Sequence, residues 1–311
     1  MQEMVMHTTA KLLILFFSSL LLQAETLIKP IPDTIEVDSR KVQLGKKLFS
    51  DPLLSKDGTI SCATCHNLQR GGDDDMKSSF GIHGQRGNIS SPTVYNSVFN
   101  FRQFWDGRAK DLKEQVRGPI ENRVEMGNSM KNAVDTLKKN REYLQRFQEI
   151  YPDGITEENL ADAIAEFEKA LITPGSPFDR YLGGENDAID AEAKKGYKLF
   201  VSKGCIICHH GVNIGGNLFN KFGIYHDLNS SSLGRYGLTK REEDRYVFKV
   251  PSLRNIALTA PYMHDGRMDT LRKAVELMSL YQLGRSIEPE EIDAIVVFLR
   301  TLTAPIPAIA K

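Results

Sequence analysis

The chain has 311 residues, with 40 basic and 40 acidic side chains; 41% of its residues are hydrophobic and 26% are charged. The length suggests two domains, and the composition is that of an ordinary globular protein. No block of like charge points to nucleic acid or to a polybasic membrane patch.

In chain order, the first feature is Lys11 followed by an apolar run from Leu12 to Leu22, with Ala24 at its polar edge. Such a run is short for a bilayer span and reads as a secretory signal over residues 1–24, an uncleaved anchor being the alternative. Next come Cys62-Ala63-Thr64-Cys65-His66 and a loop from Gly71 to Ser91 that holds five glycines, four serines and His83. Such a loop can move. Spaced apolar residues at Val134, Leu137, Tyr143, Leu144 and Phe147 predict a helix over 131–150, ending at Pro152. Thr156 is a predicted N-cap for a helix through Leu171, with Glu157 and Glu158 in its first turn, where the helix dipole favours acids. The stretch Thr173-Pro174-Gly175-Ser176-Pro177 then breaks the chain and divides it into 25–175 and 176–311. The second half opens on Cys205-Ile206-Ile207-Cys208-His209. A helix carrying Leu271, Val275 and Met278 follows, and Glu288 and Pro289 start a last one. The proline-rich tail after Thr303 is expected to wrap or fray. The predicted class is mainly α, with no strand-rich region.

The four cysteines could form two disulfides in an exported chain. They fall instead into two identical C-x-x-C-H patterns, the attachment signature of haem c. Two thiols at this spacing reach the two vinyl groups of one porphyrin, and the following histidine lies beneath the iron. Two zinc half-sites would need further nearby Cys or His. Hence two covalent haems are expected, on Cys62, Cys65 and His66, and on Cys205, Cys208 and His209, with His210 a surface residue.

The halves repeat each other. Gly45, Leu48 and Phe49 match Gly196, Leu199 and Phe200. A constant offset carries Pro92, Asn96, Asp106-Gly107-Arg108, Leu112 and Val116 onto Pro251, Asn255, Asp265-Gly266-Arg267, Leu271 and Val275, whereas the cysteines keep a shorter offset. Two tandem cytochrome c-like domains, each enclosing one haem c, follow from this duplication. Function is expected where the copies disagree. Trp105 faces His264 in the alignment, Gln115 faces Ala274, only the first half has Glu125, and only the second has Met278. Met278 is a candidate sixth ligand of the second haem, which would make it an electron-transfer centre, or a core methionine. His83 is a candidate removable ligand of the first, or a solvated loop residue.

These residues resemble the bacterial dihaem cytochrome c peroxidase family. The likeness spans Leu44 to Leu299 and includes Ser91-Pro92-Thr93-Val94-Tyr95-Asn96, Gln103-Phe104-Trp105-Asp106-Gly107-Arg108, Gly118-Pro119-Ile120 and Ala260-Pro261-Tyr262-Met263-His264. It implies a periplasmic peroxidase reducing hydrogen peroxide to water. The haem on His66 would be the peroxidatic one, gated by His83. The haem on His209 and Met278 would receive electrons from a small cytochrome c or a cupredoxin and pass them by way of Trp105. Glu125 would be the acid–base and Gln115 a hydrogen-bond donor to peroxide. The likeness also implies a homodimer, and a calcium ion between the domains on the carbonyls of Thr259 and Pro261. Two positions depart from the pattern: Ile82 intervenes between Gly81 and His83, and Ser90 stands where an asparagine usually helps to hold calcium. Met278, in place of a tyrosine, separates the chain from the branch that oxidises protein tryptophans. The rival readings are a non-catalytic dihaem electron carrier and an oxidase of a protein or organic substrate.

Overall fold

The computed structural model describes residues 27–311; the expected signal segment lies outside the described residues. The fold is mainly helical, and among the described residues none of the helices is long and apolar enough to cross a membrane.

Two apolar cores organise it. In the first, helix α1 (Ser39–Phe49) crosses α6 (Glu157–Lys169), with α3 (Leu112–Glu121), α4 (Met130–Leu137) and α5 (Arg141–Ile150) packed around them and the one-turn helix α2 (Cys62–Cys65) at the edge. In the second, α8 (Ala191–Ser202) crosses α10 (Pro289–Arg300), beside α7 (Pro177–Leu182) and α9 (Leu271–Leu283). The two crossings share one device. A side chain on Gly45 would overlap the Ala163 carbonyl, and one on Gly196 would overlap the Ala294 carbonyl. Glycine at both places lets the backbones touch, which is why the repeat begins with it.

The helix starts follow their caps. The Thr156 side chain accepts from the Asn159 amide, and Glu288 and Glu291 form a reciprocal cap ahead of Pro289. The single helix expected over 131–150 is two helices, because the Asn140 side chain accepts from the amides of Glu142 and Tyr143 and restarts the chain there. The helix expected to reach Leu171 stops at Lys169. As expected, no described region is strand-rich. An antiparallel ribbon pairs β1 (Phe219–Lys221) with β2 (Val247–Lys249) in the second half.

The two ends of the described residues cross over. Ile28 lies in the second core, while the Leu27 carbonyl accepts from Gly211 at 2.7 Å and the Lys29 carbonyl from buried Arg254 at 2.9 Å. At the other end the tail wraps. Ala310 lies in the first core, and its carbonyl accepts from the Gln69 side chain at 2.7 Å. Between the cores, Thr173 Oγ1 accepts from the amide side chains of Asn96 at 2.8 Å and Asn255 at 2.9 Å.

Candidate functional site

The two C-x-x-C-H motifs adopt one local geometry. The His66 amide bonds to the Cys62 carbonyl at 3.0 Å, and the His209 amide to the Cys205 carbonyl at 3.0 Å. One turn therefore carries both thiols and the imidazole. All four cysteines are unpaired, which removes the disulfide reading. Burial raises the Cys62 thiol, and pushes Cys65 and Cys205 up to about 11. A redox C-x-x-C needs the opposite, a lowered thiol.

Each histidine is oriented from behind. His66 Nδ1 lies 3.0 Å from the Gly72 carbonyl and His209 Nδ1 3.3 Å from that of Ile214. A carbonyl at Nδ1 fixes the proton there and leaves Nε2 free for a metal. The repeat partners Phe49 and Phe200 lie tilted beside them, at ring distances of 6.3 and 6.5 Å. Burial lowers the imidazoles, His209 to about 4, so both are neutral at neutral pH, the form that could bind a metal. His210 is half-buried rather than at the surface, with Asn217 Nδ2 at 2.9 Å from its ring.

A cavity of roughly 390 Å³ in the second half is lined by Cys205, Cys208, His209, Met278, Trp105 and Lys249, among others. Met278 thus shares one space with the second haem motif. The donor set fits a haem c there. Lys249 adds a cation: it is only 6% exposed, has no carboxylate partner among the described residues, and burial lowers it to about 8. A buried ammonium needs an anion, and haem carries two propionates.

On the first half, α3 presents Gln115, and the turn after it presents Glu125. Glu125 Oε1 accepts from Asn122 Nδ2 at 2.6 Å. Burial raises its carboxyl, while Arg108 and Asn122 pull it down. Its carboxylate is close enough to bias the thiols of both Cys62 and Cys65, so it belongs to the first haem motif. The loop with His83 is tied to the same turn: a side chain on Gly81 would overlap the Val124 carbonyl, and the Ile82 amide donates to Glu125 O at 2.8 Å. His83 itself points away. It is exposed, takes the left-handed conformation at φ 57°, and lies 3.4 Å from Asp57 Oδ2. The structure therefore brings Glu125 to the His66 motif but not His83.

Trp105 lies at the seam. Its Nε1 donates to the Ser90 carbonyl at 2.9 Å, and its carbonyl accepts from the Lys249 amide at 2.7 Å. Its ring meets His264, its repeat partner, edge-on at 6.3 Å. His264 is buried against Phe248 at 4.3 Å, with Ser230 Oγ 2.9 Å from its Nε2, and burial lowers it to about 4. Thr259 and Pro261 line the cavity near Ser90 and Asp73. Lys249 and Asp73 are not singled out by the sequence reading. A lone lysine between Phe248 and Val250 and one aspartate in Asp73-Asp74-Asp75 give no periodic signal; only their burial marks them.

The family pattern for di-haem cytochrome c peroxidase matches residues 39–187. The chain is 44% identical over 301 residues to cytochrome c551 peroxidase of Pseudomonas aeruginosa, covering 92% of this chain and 87% of that protein. It is 48% identical over 281 residues to cytochrome c peroxidase Ccp of Escherichia coli, covering 88% of this chain; it spans only 60% of that longer protein. Among solved structures, a MauG-like protein associated with microbial copper homeostasis superposes with a TM-score of 0.79 at 26% identity, covering 90% of this chain and 95% of the other. With both haem motifs in place, a matching domain pattern and relatives aligned along most of their length, the chain belongs to the di-haem cytochrome c peroxidase family.

Proposed function

We propose that this cytochrome c peroxidase works as two tandem cytochrome c-like domains in the periplasm, with a division of labour between them. The first, on Cys62, Cys65 and His66, is the site of peroxide reduction. The second, on Cys205, Cys208, His209 and Met278, receives electrons from a small c-type cytochrome or a cupredoxin. The haems supply the iron that takes up peroxide and the redox steps. The single observation that carries the assignment is Glu125: a half-buried carboxyl, raised by burial and anchored by Asn122, on the half that lacks a methionine counterpart to Met278.

The chain's own groups divide the work as follows. Glu125, as carboxylate, accepts a proton from one peroxide oxygen and returns it to the other, as general base and then general acid. Gln115 donates a hydrogen bond to the oxygen on which charge develops. Trp105, held at both its ring nitrogen and its carbonyl, keeps a fixed aromatic bridge at the seam between the halves. His83 acts as a gate. Paired with Asp57 it is withdrawn, and its return to the first iron would close the site. A calcium ion sits between the halves on the carbonyls of Thr259 and Pro261, which accept no hydrogen bond among the described residues. The working unit is a homodimer.

The test is peroxide-dependent oxidation of a reduced small cytochrome c by the holoprotein, with and without prior half-reduction. Turnover supports the peroxidase, and turnover confined to the half-reduced enzyme supports the gate. No turnover in either state, with both haems attached and calcium present, refutes the reading in favour of an electron carrier.

A further inference from the structure

The second half runs directly from α9 to α10, whereas the first inserts α4 and α5 between the matching helices α3 and α6. Helix α5 and the residue that ends it carry a buried aromatic stripe at helical spacing: Tyr143, Phe147 and Tyr151. The rings of Phe147 and Tyr151 are 5.7 Å apart. The stripe belongs to the core that also holds Phe49 and Phe167, against which Cys62 packs. Phe49 lies 6.3 Å from the His66 ring and 5.3 Å from that of Phe167. Apolar packing accounts for the rings of the stripe. It does not account for where the two hydroxyls go.

Tyr143 donates to Asp51 Oδ2 at 2.5 Å, and Tyr151 to Asp162 Oδ2 at 2.9 Å. A buried phenol needs an acceptor, but a carbonyl suffices: Tyr95 gives its hydroxyl to the Leu68 carbonyl. A carboxylate can do what a carbonyl cannot, which is to take the proton. Burial raises Asp162, but Lys41, Tyr151 and Lys113 outweigh it and hold the carboxyl below its usual range, so it is ionised at neutral pH. Burial, and then the facing carboxylate, push both phenols up, so each keeps its proton at rest. Lys47 and Lys41 lie over the Tyr143 and Tyr151 rings, at 5.5 and 5.1 Å. A cation there opposes a radical cation and favours a neutral radical, which ties loss of an electron to transfer of the proton.

We infer that Tyr143 and Tyr151 give electrons to the first haem when no outside donor is at hand, a discharge route that protects the site from peroxide. This rests on the first haem being the peroxidatic one, as proposed above. The balance closes on the residues present. Reduction of one hydrogen peroxide to two waters takes two electrons and two protons. Each tyrosine loses one electron through the shared core towards the His66 motif and one proton to its own carboxylate, Tyr143 to Asp51 and Tyr151 to Asp162. Each becomes a neutral phenoxyl radical. The two protons that complete the waters come from solvent. Two electrons from the donor later reduce the radicals, and the carboxylates return the protons.

The experiment uses the full holoprotein with both haems attached. The half-reduced enzyme is mixed with excess hydrogen peroxide without a donor and freeze-quenched for electron paramagnetic resonance. A tyrosyl radical signal is expected, about halved in Tyr143→Phe and in Tyr151→Phe and lost in the double variant, whose first haem bleaches several-fold faster. Turnover of the double variant with a reduced small cytochrome c stays at the level of the parent. Asp51→Asn and Asp162→Asn keep an acceptor oxygen but no longer take a proton, and each is expected to lower the radical yield; they serve where a Phe variant fails to mature. A signal of parental strength in the double Phe variant, or in both Asn variants, overturns the proposal. A parent that turns over with the donor yet forms no radical overturns it and leaves the peroxidase standing. A parent that does not turn over with the donor overturns the reading on which it rests.

Discussion

Trp105 and His264 occupy equivalent positions in the two copies, and they meet each other edge-on across the seam. Their loops are alike in detail: Phe104 and Met263, the residues before them, both have positive φ, at 67° and 75°. Each loop closes through a matching bridge, Gln103 to Ala109 and Tyr262 to Met268, and through an Asp–Arg pair. Duplication thus placed two copies of one loop face to face, and divergence made one an indole donor and the other a buried neutral imidazole.

Replacing Trp105 by Phe removes the bond to the Ser90 carbonyl but keeps the ring. We expect a stability loss of about 1 kcal/mol and a larger fall in the rate of electron transfer between the haems. Chemical denaturation and rapid-mixing spectroscopy separate the two. An unchanged transfer rate would remove Trp105 from the path.

Glu125→Gln should lower turnover by roughly 10²–10⁴-fold with both haems retained. Burial raises the carboxyl. Activity that needs the carboxylate is therefore lost as pH falls, and lost at higher pH than for an ordinary glutamate. A pH–rate profile of the parent checks this, and an active Gln variant would refute the role.

His83→Ala breaks only a surface pair with Asp57, so stability should change by less than about 1 kcal/mol. If His83 is the gate, the variant turns over without prior half-reduction and loses the low-spin ferric signal of the first haem. An unchanged signal excludes His83 as the ligand.

Gly45→Ala and Gly196→Ala each drive a methyl into a facing helix backbone. Each should cost about 3 kcal/mol or more, read as a lower denaturation midpoint. The two should weaken different halves, which calorimetry resolves.

Glu168 is buried, and its Oε2 has no hydrogen-bond partner; burial pushes its carboxyl up to about 8. The folded state thus holds a proton that the unfolded chain releases above its ordinary value of 4.5. Its contribution to stability is whole below pH 4.5 and declines as pH rises to about 8. Glu168→Gln should flatten that decline and be more stable than the parent at pH 8. Equal slopes for both proteins would show that Glu168 is ionised in the folded state.

Much of this was legible before any coordinates. The C-x-x-C-H spacing is chemistry written in consecutive residues, and caps such as Thr156 and Glu288 act within one turn. The Gly45 and Gly196 match recorded the repeat but not the two helix crossings that it marks. The two-helix break at Asn140 was missed because the apolar spacing runs on through it, and only a side-chain cap interrupts. Asp73 and Lys249 were invisible for another reason: burial of a charge depends on what the distant half brings near, and no local period records that. The withdrawn His83 is a third kind. A histidine in a glycine-rich loop has more than one place to go, and the pair with Asp57 is set by spatial neighbours.

The crossed termini have a consequence for how the protein is made. Ile28 seals the second core and Ala310 the first. Each core thus draws a residue from the far side of the sequence, and the first core is not closed until Ala310 has been made. A break at Gly175 would yield two fragments, each lacking a piece of its own interior, and not two small cytochromes.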